Sequence, residues 1–409
     1  VPWFLHLALK QLFPTGKRFP VFTAISVLGV ALGVAVLVVV VSVMDGFEYK
    51  IRDMIVTTEG EVQVKAQTAI ADYPSVIRKI ESAPGVAAAT PYSAGSVMIR
   101  CDNRVAYPFI RGVDLDSIER VTQLSRYVVE GSFDDLDDDS VILSSILAEQ
   151  IHAVVGDTVE IYSPLLVEKL EADEVFLPRS VRVVGILEIG HQQIDSSTVY
   201  CTLRLAQDLY GLGSDVHGID VRLKPGVNED DGAAQINALL PPDIRAYSWQ
   251  DTWQDFLWVV NLEKSMIFFM LLFIVIVAAF SVTSSLLISV IRKTREIGLL
   301  GALGGRPRDV AACFCAQGVF IGVLGTLCGL GIGFGALAIR NDVLFALLRI
   351  TQRQDVFRRF YQLNELPSHP APGDIAEIVV LTLVIATLAG LLPAWRAARL
   401  KPVEALRGE

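Results

Sequence analysis

Four long stretches without one charged side chain decide what this 409-residue chain can fold into. Residues 21–43 are uncharged over 23 positions, residues 266–291 over 26, Val310–Ile339 over 30 and Ile378–Trp395 over 18. A helix rises about 1.5 Å per residue and the hydrocarbon core is about 30 Å thick, so about 20 residues are needed to cross it. Each stretch is therefore expected to be a transmembrane helix. The first is longer than the apolar region of a signal peptide, about 7–15 residues, and Asp45-Gly46-Phe47 follows where small cleavage residues would stand. It reads as a retained span.

Charge then gives the orientation. Residues 45–263 hold 17 Lys/Arg against 36 Asp/Glu, although the whole chain has a net charge of only −10. The short segments beside the spans are basic: Lys10, Lys17 and Arg18; Arg292, Lys293, Arg295, Arg306 and Arg308; Arg396, Arg399, Lys401 and Arg407. The positive-inside rule puts these in the cytoplasm and the acidic domain outside. Residues 340–374 dissent, with arginines at 340, 349, 353, 358 and 359 in a loop expected outside.

The fold class expected is a membrane α-helical protein of four transmembrane helices, plus an extracytoplasmic α+β domain with an inserted β-rich subdomain. Residues 1–19 form an interfacial amphipathic helix that Pro14 and Gly16 break. The spans cover 20–44, 266–291, 310–339 and 375–396. A cytoplasmic loop covers 292–309, an outer loop 340–374, and a cytoplasmic tail 397–409. The outer domain takes 45–263. Within it, 45–114 and 201–250 make a mixed α/β subdomain and 115–200 the insert. Strand alternation supports Glu61–Lys65, Gly95–Arg100, Arg104–Arg111, Gly218–Lys224 and Ile244–Tyr247, with helices over Tyr73–Ser82, Leu203–Tyr210 and Glu229–Leu240. In the insert, strands are expected at Val141–Leu143, Thr158–Tyr162, Val181–Leu187 and Thr198–Cys201.

Several sites can be named with their alternatives. Between two of those strands, Ser163–Arg179 is either a solvated hairpin or, because Leu165, Leu166, Phe176, Leu177 and Pro178 make it apolar, a partner-binding protrusion. Gly29 and Gly33 in the first span, and Gly325 and Gly329 in the third, have the four-residue spacing that lets helix backbones meet. They serve either an interface between subunits or packing within one. Cys101 and Cys201 both fall in the outer domain, where a disulfide is permitted, and the sequence leaves their pairing open.

Other chemistry is missing. There is no phosphate-binding loop for ATP, no His-Glu-x-x-His, no nucleophile elbow and no metal-ligand spacing among the histidines. No catalytic or metal site is expected. The acidic run Asp134–Asp139 lacks the glycine turn and terminal Glu of a calcium loop and reads as a solvated loop. No span carries a charge in its interior, which counts against an ion-driven carrier.

Three patterns together resemble the LolC/LolE-like lipoprotein-releasing permeases, within the MacB/FtsX-type class of ABC transporter permeases. They are Ser26-x-x-Gly29-x-x-x-Gly33 running into Ser42-Val-Met-Asp-Gly-Phe47; Arg292-Lys-Thr-Arg-Glu-Ile-Gly-Leu-Leu-Gly-Ala-Leu-Gly304; and Glu365-Leu-Pro367 with Leu392-Pro-Ala-Trp-Arg-Ala-Ala398. The resemblance implies a permease subunit, not an enzyme, in a bacterial inner membrane with its large domain in the periplasm. ATP and Mg would be bound by a separate cytoplasmic ATPase dimer, with no cofactor on this chain. A coupling element of Arg295, Glu296, Ile297, Leu299, Leu300, Leu303, Arg306 and Arg308 would meet that ATPase. It is amphipathic with a basic rim, as a docking element should be. A second permease subunit would complete the transporter. Met44, Phe47 and Ile51, on one helical face, would line a cavity for the lipoprotein substrate, or alternatively pack against the outer domain. The Ser163–Arg179 hairpin would meet a periplasmic, LolA-like lipoprotein carrier. Other readings are a mechanotransmission permease for efflux or cell-wall hydrolase activation, and a membrane-anchored scaffold without transport.

Overall fold

The computed structural model describes residues 21–163, 178–190, 195–351 and 366–400, together with Ala8 and Lys10. The interfacial helix expected over 1–19, most of the hairpin, Glu365 and the tail after 400 therefore lie outside the described residues, apart from Ala8, Lys10 and Pro178. The chain divides into two compact units. One, the helical unit, comprises Val1–Tyr49, Val259–Ile350 and Glu365–Glu409; the other, the sheet unit, comprises Lys50–Trp258 and Thr351–Asn364.

The sheet unit takes the last turns of helix α1 (Val21–Glu59), which Gly60 ends at φ 78°. A glycine is favoured there because a Cβ is penalised in the left-handed region. Twelve strands follow: β1 (Val62–Ile70), β2 (Val86–Ser96), β3 (Met98–Cys101), β4 (Arg104–Ala106), β5 (Phe109–Val113), β6 (Val128–Gly131), β7 (Ser140–Ser144), β8 (Thr158–Tyr162), β9 (Arg179–Leu187), β10 (Thr198–Thr202), β11 (Val216–Leu223) and β12 (Ile244–Ser248). They form one sheet in the order β12-β1-β11-β2-β5-β10-β7-β9-β8-β3-β4, with β6 paired to β9.

Helices α2 (Tyr73–Glu81), α3 (Ser145–Ile151), α4 (Leu203–Tyr210) and α5 (Glu229–Asn237) cover it. Val76 and Ile80 of α2 and Ala233 and Ile236 of α5 pack on Val64, Ile219 and Val221. Leu147 and Ile151 of α3 and Leu205 and Leu209 of α4 pack on Val141, Leu143, Val183 and Val199. Strand alternation sends Ile142, Val184 and Tyr200 into a different cluster with Leu124 and Phe133. Two cores thus share one face plan, and α4 approaches β5 so closely that a Cβ at Gly112 would lie 2.3 Å from that of Ala206.

The strands of the insert continue the same sheet, β10 pairing in parallel with β5. Two expectations change. β3 and β4, assigned by sequence to the first subdomain, share the core of the insert through Ile99, Cys101 and Ala106. β2 was not expected before Gly95, since Val-Ala-Ala-Ala-Thr-Pro lacks β-branched alternation and Pro91 cannot donate to a ladder. Its flanking strands impose it, with Pro91 opposite Ile219. Cys101 and Cys201, whose pairing was open, are both free and buried.

A charged network crosses this unit's interior. Arg111 on β5 is ion-paired with fully buried Asp220 on β11, and with Glu59 at the end of α1 at 3.6 Å. Its guanidinium lies 4.2 Å from the ring centre of Tyr92, a favourable cation–π distance. Burial pushes the Asp220 carboxyl up to about 7; Arg111 opposes that rise and Glu59 adds to it.

The helical unit adds α6 (Gln254–Arg292), α7 (Thr294–Ala302), α8 (Pro307–Ala338), α9 (Arg340–Thr351) and α10 (Pro372–Ala398). With α1, helices α6, α8 and α10 are, among the described residues, the four long and apolar enough to cross a membrane. Val34, Val38, Val275, Val282, Ile321 and Ile378 form their shared core. One dissenting arginine has a structural use: Arg340 donates to the carbonyls of Leu337 and Leu366, each at 2.8 Å.

Removing one partner of a buried ion pair leaves the other charge desolvated. Arg111→Met is therefore expected to cost about 3–5 kcal/mol. Arg100→Met, in the exposed pair with Glu160, is expected to cost less than about 1 kcal/mol. Thermal unfolding of the detergent-solubilised chain measures both.

Candidate functional site

At the end of the bundle where the first uncharged run gives out, a cavity of about 270 Å³ opens between α1, α6 and α10. Val40, Val41 and Met44 of α1, Ile267, Phe268 and Phe269 of α6 and Ile378 of α10 supply its apolar wall. Lys264, Ser265, Asp374 and Glu377 give it a polar side. The lysine is held by Asp45, buried on α1, at 2.6 Å and by Glu48 at 3.7 Å. Such a cavity takes an amphiphile: hydrocarbon against the wall, a polar group at the charged side.

Met44 is in that wall. Phe47 is half-buried on the next turn and is not part of the lining. Ile51 lies in the sheet unit, packed with Met54, Ile55, Val56 and Trp249. For Ile51 the geometry matches the alternative, contact with the outer domain. Sequence reasoning missed Asp45, Lys264, Asp374 and Glu377. Each stands just outside an uncharged run, so each looked like an ordinary flank.

Two of the sequence patterns meet beside this cavity. A Cβ on Gly46 would lie 2.5 Å from backbone atoms of Pro367 and Ser368. The amide of His369 donates to the carbonyl of Ser42 at 2.8 Å, and its ring stacks on Tyr49 at 5.0 Å. The glycine of Asp-Gly-Phe and the proline of Glu-Leu-Pro are thus two sides of one close backbone crossing.

At the other end of the bundle α7 forms the connection between α6 and α8. Ile297 is buried with Val290, Val310, Phe314, Ala394 and Ala397. It anchors the helix, so its expected place on a docking face is corrected: it faces the bundle. Arg295, Leu299 and Leu303 follow one another at four-residue spacing and are exposed, Leu303 at 77%. Leu300 is half-buried, and Glu296, Arg306 and Arg308 are exposed. An apolar stripe with a basic edge is left free on a helix fixed from behind.

The glycines separate by use. A Cβ at Gly325 or Gly329 would lie 2.6 Å from the Cβ of Val30 or Val34 on α1, so both serve packing within the chain, not an interface between subunits. Gly33 meets nothing within 4 Å, and at Gly29 the nearest atom is Ser281 Oγ at 4.0 Å. Leu165, Leu166, Phe176 and Leu177 lie outside the described residues, and Pro178 is half-buried at the start of β9. In the acidic run, Asp139 pairs with Arg179 at 2.6 Å and Asp138 with Arg204 at 3.1 Å. Among the described residues no group of three His, Cys, Asp or Glu is placed to hold a metal ion.

Comparison with known proteins adds sequence likeness to this geometry. Residues 23–239 match the MacB-like periplasmic core domain, and residues 268–402 match the FtsX-like permease C-terminal domain. The lipoprotein-releasing system transmembrane protein LolC of Neisseria meningitidis is 30% identical over 402 residues, 95% of this chain and 94% of its own. The LolE protein of that system in Haemophilus influenzae is 22% identical over 407 residues, 97% of this chain and 96% of its own. The macrolide export ATP-binding/permease protein MacB of Shewanella oneidensis is 27% identical over 437 residues, 98% of this chain but 60% of its own.

The crossing at Gly46 is testable. Gly46→Ala must push backbone aside and is expected to cost about 1–3 kcal/mol, seen as a lower unfolding temperature. Gly373→Ala, with nothing within 4 Å of its Cβ, is expected to leave that temperature unchanged.

Proposed function

This chain belongs to the family of lipoprotein-releasing permeases that includes LolC and LolE, and we propose that it draws a lipidated cargo out of the inner membrane using ATP hydrolysed by another subunit. It is a multipass membrane protein with a periplasmic-type core domain and a permease C-terminal half. The efflux and scaffold readings are not favoured by likeness over 95% of the chain to a lipoprotein-releasing protein.

The observation that carries the mechanism is the free stripe on α7. Arg295, Leu299 and Leu303 form a face that a groove on a soluble subunit can cover, with Arg306 and Arg308 as a cationic rim. Ile297 holds α7 against α8 and α10, so a push on that face passes into packed helices instead of bending a loop. The motor in this proposal is a cytoplasmic ATPase dimer carrying ATP and Mg. The MacB relative, named as both ATP-binding protein and permease, supports such a pairing. A second permease subunit, identical or related, completes the pathway.

At the opposite end the cavity at Met44 receives the acyl chains of the cargo. Its aromatic and aliphatic wall offers them contact, and Met44 adapts to irregular chains. Narrowing of that cavity in the ATP-bound state ejects the lipid toward a periplasmic, LolA-like carrier. The hairpin between β8 and β9 is the carrier's proposed contact.

Reconstitution of the chain with its ATPase and partner permease in lipoprotein-loaded vesicles tests this. Leu299→Asp places a charge in the docking stripe and is expected to cut ATP-driven release at least tenfold, about 1.4 kcal/mol. Arg245→Glu, at an exposed position of β12, is expected to leave release intact. Parent-like release by Leu299→Asp would remove α7 from the mechanism. No release by the unaltered complex would remove the function itself.

A further inference from the structure

One row of α1 has two different partners along its length. Val30, Val34 and Val38 meet Gly325, Gly329 and Gly333 of α8. The same four-residue row continues as Ser42 and Gly46, and there the partner is residues 366–369, which lead into α10. Backbone atoms of Pro367 and Ser368 close on Gly46, and the amide of His369 donates to the Ser42 carbonyl at 2.8 Å. That carbonyl is open to an outside donor because Gly46, one turn on, has no side chain to cover it. A further turn out, Tyr49 stacks on the His369 ring. The same segment is gripped from α9. Arg340 donates through Nε to the Leu366 carbonyl and through Nη1 to that of Leu337, each at 2.8 Å. Asn341 Oδ1 accepts from the Leu366 amide at 3.0 Å. Leu337 is in the last turn of α8, where carbonyls lack helical donors, so Arg340 joins the end of α8 to Leu366.

Met44 is two residues from both Ser42 and Gly46, which puts it about half a turn round α1, on the side away from this segment. It lines the cavity, as do Asp374, Glu377 and Ile378 of α10. Residues 366–369 therefore pass behind one cavity wall and run into another. The glycine contacts of α8 with the row stop at Val38, and α8 itself stops at Ala338. We propose that residues 366–369 are a strap that makes the cavity end of α1 follow α8, with Arg340 and Asn341 as its positioning residues. A seam of valines on glycines resists approach, whereas hydrogen bonds at both ends of the strap also resist separation. The strap thus passes on a pull as well as a push. Without it, a displacement of α8 no longer reaches Met44, and ATP is hydrolysed without lipid being expelled. This rests on the reading of α7 as the point of push and of the cavity as the cargo site.

The chain reconstituted with its ATPase and partner permease in lipoprotein-loaded vesicles, with ATP hydrolysis and release read together, tests this. Arg340→Met keeps the bulk and removes both donors. It is expected to lower the lipoprotein released per ATP hydrolysed about tenfold, with hydrolysis within about twofold of the parent. An unchanged ratio, including one reached by equal loss of both activities, overturns the strap. In the same chain Tyr49→Cys and His369→Cys are then joined by a short bis-methanethiosulfonate, a link that reductant cleaves. Joining is expected to restore the ratio to within about threefold of the parent and cleavage to lose it again, which a residue serving only the fold would not show. A confirmed link without recovery overturns the proposal. Should Arg340→Met not assemble, Asn341→Ala removes the acceptor for the Leu366 amide and is expected to lower the ratio about threefold. An unchanged ratio there overturns the strap equally. Release by the parent reads the proposed function: failure there strikes both readings, and failure confined to the variants strikes the strap alone.

Discussion

The seam between α1 and α8 is the contact on which the helical unit depends. Val30, Val34 and Val38 present their side chains where Gly325, Gly329 and Gly333 have none, and Cβ atoms built on those glycines would lie 2.6, 2.6 and 3.1 Å from the valine Cβ atoms. In lipid there is little hydrophobic drive between helices, so attraction comes from close atomic contact. Valine suits the ridge because its χ1 is nearly fixed in a helix and little entropy is lost on packing. α8 is lodged the same way against α10, where a Cβ on Gly322 would lie 2.7 Å from that of Ala386. One helix thus has two glycine-lined faces, each filled by a different neighbour.

In the sheet unit, α1 ends on polar groups instead of apolar ones. Glu59, its last residue, accepts from Gln63 at 3.1 Å and from the Trp253 indole at 3.3 Å, besides pairing with Arg111. Trp253 immediately precedes α6 and packs in one cluster with Ile55, Val56 and Trp249. The end of α1 and the start of α6 are therefore tied together and to β5 at the middle of the sheet. A hydrophobic core of equal volume can match a buried charge network in stability. What the directional bonds of Glu59 add is a fixed rotation and height for the helix end.

Much of this was legible because lipid and sheet each impose a strong pattern. Charge-free runs mark the spans, and period-two alternation marks β8, β9 and β10. β2 was illegible because its conformation is set by β11 and β5, not by its own alanines. The placement of β3 and β4 was illegible because the partner strand β8 lies more than fifty residues away. At the candidate site, Met44 could be named from a pattern, but its charged neighbours could not. Asp45, Lys264 and Asp374 come from three separate helices, and only packing reveals that Lys264 and Asp374 line one cavity with Asp45 paired to the lysine behind it. Ile297 was read with its exposed neighbours because a nine-residue helix is too short for its buried face to stand out.

The interior of the bundle explains how such a chain does work without chemistry of its own. Between the charges at Asp45 and Lys264 and those at Arg295 and Arg308, the uncharged runs offer no acidic or basic side chain that a proton or ion gradient could act on. What fills that interval is close contact. Ile297 of α7 touches the cluster holding Phe314 of α8, α8 seats its glycines on α1, and α1 carries Met44 into the cavity wall. Close-packed interiors are poorly compressible, so a displacement imposed at one end must be answered by movement at the other. In the proposed mechanism the glycine seam is therefore the transmission. It works because Gly325 and Gly329 leave no room for slack between the two helices.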